Sequence, residues 1–165
     1  MAPTPPGTGS RPETAGVICP PPLVFLAGLV LGLGADWLFA LPHLPEGSDA
    51  GGLWLGSAFG ASGLFLILWS GRRFIGAGTP LPPYRPTTAL VTEGPYRRSR
   101  NPIYLGMALI YLGVVCATAS LGALVLLPVV ILVMEVGVIR REERYLERRF
   151  GEAYRAYKSR VRRWL

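Results

Sequence analysis

Apolar positions in this chain are gathered into continuous runs rather than set at amphipathic spacing. Four runs stand out, at 23–40, 53–69, 103–119 and 121–139. A run of about 18 residues at ~1.5 Å rise covers most of a bilayer core roughly 30 Å thick, so each run predicts a membrane-spanning helix. The third and fourth runs are separated by almost nothing, which predicts a tight antiparallel hairpin. Polar interruptions are few. Asp36 sits near the end of the first run, with His43, Glu46 and Asp49 just beyond it, and reads as part of a solvated, non-cytoplasmic rim. Glu135 sits inside the fourth run, where a carboxylate must pair with a cation or line a wet cavity.

Small residues recur within the runs. Gly28 with Gly32 and Gly56 with Gly60 form small-xxx-small pairs suited to close helix packing, and Gly106 and Gly113 share a face seven residues apart. That last face either packs on a partner helix or leaves room for a ligand. Trp54 and Trp69, at the two ends of the second run, read as interface anchors. Pro128 predicts a kink in the fourth helix. Between the second and third runs, 72–92 is rich in glycine and proline and reads as a lid or docking loop. Residues 1–22 hold seven prolines and read as a disordered cytoplasmic tail preceding a single membrane domain, 23–165.

Charge adds orientation. The chain has 165 residues, 50% of them hydrophobic, and a net charge of +7. One arginine precedes the first run, none lies between the first and second, six lie in 72–100, none lies between the third and fourth, and ten basic residues follow 139. This alternation satisfies the positive-inside rule at every loop, for an all-α bundle of four spans with both termini cytoplasmic. It also explains the basic balance by contact with lipid headgroups, so a nucleic-acid partner is not implied. Cys19 and Cys116 stand apart, and His43 has no companion at ligand spacing, so neither a disulfide framework nor a metal site is predicted.

Candidate chemistry concentrates at two junctions of charge with apolar span. The stretch Gly94-Pro95-Tyr96-Arg97-Arg98-Ser99-Arg100-Asn101-Pro102-Ile103-Tyr104-Leu105-Gly106 places three arginines ahead of a helix that Pro102 is suited to open. Exposed N–H groups and the positive end of the helix dipole add to the same point, which predicts an anion-binding loop. At the end of the fourth run, Glu142 and Glu143 put two carboxylates at a helix end whose dipole disfavours them. They are placed either as a solvated salt-bridge face with Arg140, Arg141 and Arg144, or to accept hydrogen bonds from a cationic or hydroxyl-bearing ligand. Glu135, seven residues before Glu142, falls nearly on the same face of a regular helix. Beyond them Leu146, Phe150, Tyr154, Tyr157, Val161 and Trp164 recur at helical spacing among basic residues. That is the pattern of an amphipathic helix lying on anionic lipid, bent at Gly151.

Taken together, the run Arg100-Asn101-Pro102-Ile103-Tyr104-Leu105-Gly106, the Glu142-Glu143 pair and the tail Phe150-Gly151-Glu152-Ala153-Tyr154-Arg155-Ala156-Tyr157 resemble the isoprenylcysteine carboxyl methyltransferase family and its phospholipid methyltransferase relatives. The family usually has Arg-His-Pro where this chain has Arg100-Asn101-Pro102. An asparagine replaces an imidazole hydrogen bond but not its protonation. Eukaryotic members continue into proline-containing sequence beyond the point matching Arg162-Arg163-Trp164-Leu165, which implies a shorter substrate-positioning tail here. The resemblance implies S-adenosylmethionine as methyl donor and a lipidic small-molecule acceptor reached from the bilayer, either an isoprenylcysteine-like carboxylate or a lipid amine. It implies that Arg100, Asn101, Pro102, Tyr104, Leu105 and Gly106, with Glu142 and Glu143, hold the donor. Arg100 and Glu142 are the implied catalytic pair, with Glu135, Tyr154 and Tyr157 toward the acceptor. Two rival readings stand beside it: a nicotinamide-dependent reductase of membrane lipids on a related scaffold, and a noncatalytic protein that binds lipid or a partner through its basic tail. The oligomeric state is not legible.

Overall fold

The computed structural model describes residues 14–44, 50–80 and 85–165, and among these the secondary structure is helical with no strand. The helices are α1 (Pro21–Phe39), α2 (Ala50–Gly76), α3 (Pro102–Thr118), α4 (Leu121–Met134), α5 (Arg140–Phe150) and α6 (Glu152–Arg160). Pro21 and Pro102 occupy the first turns of α1 and α3, where a missing N–H costs nothing. α1, α2 and the continuous helix Leu121–Phe150 are long and apolar enough to cross a membrane, while α3 is a shorter apolar helix of 17 residues. α2 runs past the expected end at Trp69 through Arg72 and Arg73 to Gly76. Hydropathy ends there but the backbone ladder has no reason to, because long basic side chains carry their charge to water.

Glycines set which helices pair. The most extensive packing is α2 on α3, followed by α1 on α4, whereas the consecutive α3 and α4 touch far less. In the first pair Gly56 meets Gly113 and Gly63 meets Gly106. A Cβ on Gly63 would lie 2.4 Å from the Gly106 carbonyl oxygen, and one on Gly113 would lie 2.7 Å from that of Gly56. Both helices use a spacing of seven, so the working pair on α2 is Gly56 with Gly63. A Cβ on Gly60 would meet nothing within 4 Å. Gly28 and Gly32 pack on α4 as expected, with a Gly32 Cβ 2.4 Å from the Ala123 Cα. Large apolar side chains left outside, such as Leu26, Leu31, Phe65, Val125 and Leu132, form the exterior of these helices. They suit a lipid surrounding.

Three further features depart from the sequence reading. Asp36 is not a solvated rim residue: its carboxylate accepts hydrogen bonds from the Ser120 hydroxyl and, at 2.7 Å, from the Gly122 N–H. It therefore ties α1 to the first turn of α4, where unpaired N–H groups need an acceptor. Residues 14–20 of the expected disordered tail are placed, with the Ile18 N–H donating to the Gly137 carbonyl at 3.2 Å; residues 1–13 lie outside the described residues. Between α4 and α5 the helix widens into a π-helical turn at Glu135–Ile139. Such turns insert one residue into the helical register, which changes what faces what beyond them.

Candidate functional site

Where α3 begins and α4 gives way to α5, the elements enclose a cavity of about 270 Å³. One wall is polar: Arg100, Asn101, Tyr104, Glu142, Glu143, Tyr154 and Tyr157. The other is apolar, with Phe74 from α2, Leu90 and Val91 from the segment after it, Ile103 and Met107 from α3, and Leu146 from α5. Pro20, Pro21 and Pro22 close one side. The glycine- and proline-rich stretch 72–92, expected as a lid or docking loop, thus contributes a wall of the cavity through residues 87–91; its residues 81–84 lie outside the described residues.

The arginine loop is shaped by a short 3-10 turn, Gly94–Arg97, entered through Gly94 at φ +61°, a conformation that favours glycine. Tyr96 is buried beneath it, and its carbonyl accepts a 2.8 Å hydrogen bond from the Tyr157 hydroxyl of α6. The C-terminal segment runs alongside: the Arg100 N–H donates to the Arg162 carbonyl at 2.9 Å, and the Asn101 side-chain amide donates to the Arg163 carbonyl at 3.0 Å. These bonds hold the Arg100 side chain in the cavity wall, only 8% exposed. Its Nη2 pairs with Glu143 at 2.9 Å, while Nε and Nη1 are buried and have no partner among the described residues. Buried guanidinium N–H groups without an acceptor are costly, so they mark a place where a ligand anion is wanted.

The two carboxylates divide their work. Glu142 accepts a 2.9 Å hydrogen bond from the Tyr104 hydroxyl and otherwise faces the cavity. Glu143 is heavily engaged: besides Arg100, it takes Nε and Nη2 of Arg163 at 3.0 and 2.7 Å in a fork-to-fork pair. Glu135 lies outside the cavity lining, paired with Arg163 and with Arg140 at 3.2 Å. It therefore shares a partner with Glu143, eight positions on, and not with Glu142, seven on. A regular helix would align the residue seven away; the π-helical turn moves the alignment one further.

The remaining expected site residues are placed as follows. Tyr154 and Tyr157 reach the cavity from α6 and are 1% and 5% exposed, so the apolar stripe of the tail turns inward here instead of facing lipid. Gly151, at φ +54°, breaks the helix between α5 and α6 and allows that turn. Burial raises the Tyr154 and Tyr157 hydroxyls above the ordinary tyrosine value, with Glu143 adding to the effect at Tyr154 and Arg100 opposing it at both. They stay protonated, and Tyr157 donates to the Tyr96 carbonyl. Pro102, Leu105 and Gly106 lie outside the cavity lining: Pro102 opens α3, and Gly106 is consumed by the contact with Gly63. Asn101 lines the cavity but commits its amide N–H to Arg163, leaving its Oδ1 as the acceptor. Arg163, Met107 and Phe74 carry no local signal of a site. In the sequence Arg163 reads as one more lipid-facing cation, and the other two as ordinary apolar residues.

The arrangement can hold a molecule that carries an anion beside Arg100, a cation or hydroxyl beside Glu142, and apolar matter along α3. Among known proteins, residues 52–153 match the phospholipid methyltransferase family, a stretch longer than half the chain. An uncharacterised protein of Haemophilus influenzae is 43% identical over 63 residues, which are 38% of this chain and 79% of that protein. No solved structure matches. The matched stretch contains the arginine loop, the whole of α3, the π-helical turn and both cavity carboxylates, and on that ground this chain belongs to the phospholipid methyltransferase family, a family of membrane methyltransferases.

Proposed function

We propose that this protein transfers a methyl group from S-adenosylmethionine to a lipidic acceptor, in the manner of isoprenylcysteine carboxyl or lipid-amine methyltransferases. The observation that carries the reading is the pairing, across one cavity, of Arg100 with two unpartnered guanidinium N–H groups and Glu142 with a free carboxylate face. S-adenosylmethionine carries a carboxylate, an ammonium, ribose hydroxyls and a sulfonium, and this residue set offers complementary groups for its polar parts. Arg100 takes the carboxylate through the charge-assisted N–H groups of Nε or Nη1 that Glu143 leaves unused. Glu142, oriented by Tyr104, accepts from the ammonium or ribose, and Asn101 Oδ1 adds an acceptor. When bound, the donor supplies an electrophilic methyl group whose in-line transfer depends on alignment of the reacting atoms.

The apolar wall then belongs to the acceptor. Ile103 and Met107, one turn apart on α3, line the cavity together with Phe74 and Leu146. A carboxylate acceptor needs no base; an amine acceptor must lose a proton, for which Glu142 is the available carboxylate. Glu143 does not serve as that base, because two guanidinium groups already neutralise its carboxylate. The protein sits in the membrane through four spans with both termini cytoplasmic, a topology supported by the arginine distribution and by the apolar exterior of α1, α2 and α4.

Calorimetry on the detergent-solubilised full chain tests the donor assignment. Saturable S-adenosylmethionine binding, lost in Arg100→Ala and weakened in Glu142→Gln, is the expected result. Saturable binding of a reduced nicotinamide in its place moves the protein to lipid reduction, and binding of neither leaves it as a lipid- or partner-binding member of the family.

A further inference from the structure

Arg100 is useful to a ligand only because it is not spent on Glu143. A guanidinium and a carboxylate placed together prefer the two-bond fork. Here Arg100 gives Glu143 a single contact, Nη2 to Oε1 at 2.9 Å, and keeps Nε and Nη1 free among the described residues. The fork on Glu143 is occupied by Arg163, through Nε at 3.0 Å and Nη2 at 2.7 Å. Arg163 also pairs with Glu135 through Nη1, so it balances two carboxylates that would otherwise both draw on nearby arginines.

Arg163 is itself held in place by backbone. Ser99 and Arg162 form a parallel bridge, the Arg100 N–H donates to the Arg162 carbonyl, and the Asn101 amide donates to the Arg163 carbonyl at 3.0 Å. Trp164 packs on the core next to it. The C-terminal segment therefore docks beside the arginine loop with the Arg163 side chain aimed past the loop at Glu143. Arg163 lies beyond the stretch that matches the family and outside the cavity lining.

We infer that Arg163 is a positioning residue: by taking the two-bond fork on Glu143 it limits Arg100 to one contact there and leaves Nε and Nη1 for the ligand's carboxylate. Without Arg163, Glu143 is free to close a two-bond fork on Arg100, which draws one of the two unpartnered nitrogens away from the ligand. This rests on the donor reading above, and the test separates the two.

The experiment is calorimetric titration of S-adenosylmethionine into the detergent-solubilised full chain, as wild type, Arg163→Ala, Arg163→Lys and the double variant Arg163→Ala with Glu143→Gln. Thermal unfolding of each is measured alongside. The expected result is roughly tenfold or greater loss of affinity in Arg163→Ala, the scale of one charge-assisted hydrogen bond. Arg163→Lys, a point charge without the fork, should recover only part. The double variant should regain most of the affinity, because an uncharged amide in place of the Glu143 carboxylate competes weakly for Arg100. Loss in Arg163→Ala that the double variant does not relieve assigns Arg163 to a merely structural latch and overturns the inference. So does unchanged affinity in Arg163→Ala. No saturable binding by folded wild type overturns the donor reading and this inference with it.

Discussion

At the scale of single residues, the site works by leaving some groups unsatisfied and filling others. Arg100→Ala should abolish turnover, and Arg100→Lys should recover little, since a single ammonium cannot hold Glu143 with one planar nitrogen and direct two others at a ligand. Neither change should unfold the protein, because Glu143 keeps both bonds from Arg163; methyl-transfer assays beside thermal melts check both halves. Tyr104→Phe should weaken donor binding in the same direction as Glu142→Gln, by roughly threefold to tenfold, through loss of the bond that aims the carboxylate. The buried tyrosines make a pH prediction. Tyr96, Tyr154 and Tyr157 are all raised above their ordinary value, chiefly by burial. A group raised in the folded state favours folding fully below its unfolded pKa, about 10 for tyrosine, and that contribution is lost as pH climbs above it. Stability should therefore be insensitive to these groups up to about pH 9 and fall beyond about pH 10, with a shallower fall in Tyr157→Phe than in wild type, as alkaline melts would read.

At the scale of elements, glycine placement decides helix pairing, and it separates two residues that look alike in sequence. Gly63→Ala would set a Cβ 2.4 Å from the Gly106 carbonyl, so α2 and α3 must move apart, at a cost of about 1–3 kcal/mol. Gly60→Ala meets nothing within 4 Å and replaces the poorest helix former after proline by the best, so it should be neutral or stabilising by up to about 1 kcal/mol. Melting temperatures of the two variants in one detergent compare them directly. Gly151 is a different case: its φ of +54° is a backbone requirement, not a contact, and nothing lies within 4 Å of its missing Cβ. Gly151→Ala should straighten the break between α5 and α6 and withdraw Tyr154 and Tyr157 from the cavity, seen as weaker donor binding with little change in helix content. The π-helical turn acts at this scale too, through the register it imposes on Glu142 and Glu143.

At the scale of the whole molecule, the arrangement is two glycine-packed helix pairs, α1 with α4 and α2 with α3, with the charged α5, α6 and C-terminal segment closing one end. Helices packed this closely gain from dispersion and backbone approach, which operate in lipid where the hydrophobic effect between helices does not. Placing both termini in the cytoplasm predicts that single cysteines at Ser159 and at Ser10 in a cysteine-free background are shielded from an impermeant thiol reagent in intact cells. A cysteine at Ser48, between α1 and α2, should be labelled. Labelling of Ser159 in intact cells would overturn that orientation.

Much of this was legible in the chain. The apolar runs, the proline-opened α3, the small-residue face of α1, the arginine loop and the two carboxylates all follow from local rules: length against bilayer thickness, first-turn geometry, and the cost of charge near an apolar span. Three decisions came only from tertiary structure. Which glycines mattered depended on the spacing presented by the opposite helix, so Gly63 displaced Gly60. How the two cavity carboxylates were used depended on one residue inserted by the π-helical turn, so Glu143 aligned with Glu135 on Arg163 and Glu142 was left with Tyr104 alone. Whether a cation was a site residue or a lipid contact depended on what it met, so Arg163, one of ten basic residues after the last apolar run, became the partner of the buried Glu143 and the half-buried Glu135. Local sequence determines what a residue can do at the membrane edge, because propensity and burial act over a few positions. Which of those capacities is used is decided across the packed bundle, because a hydrogen bond needs its second atom within about 3 Å and that atom comes from a distant part of the chain.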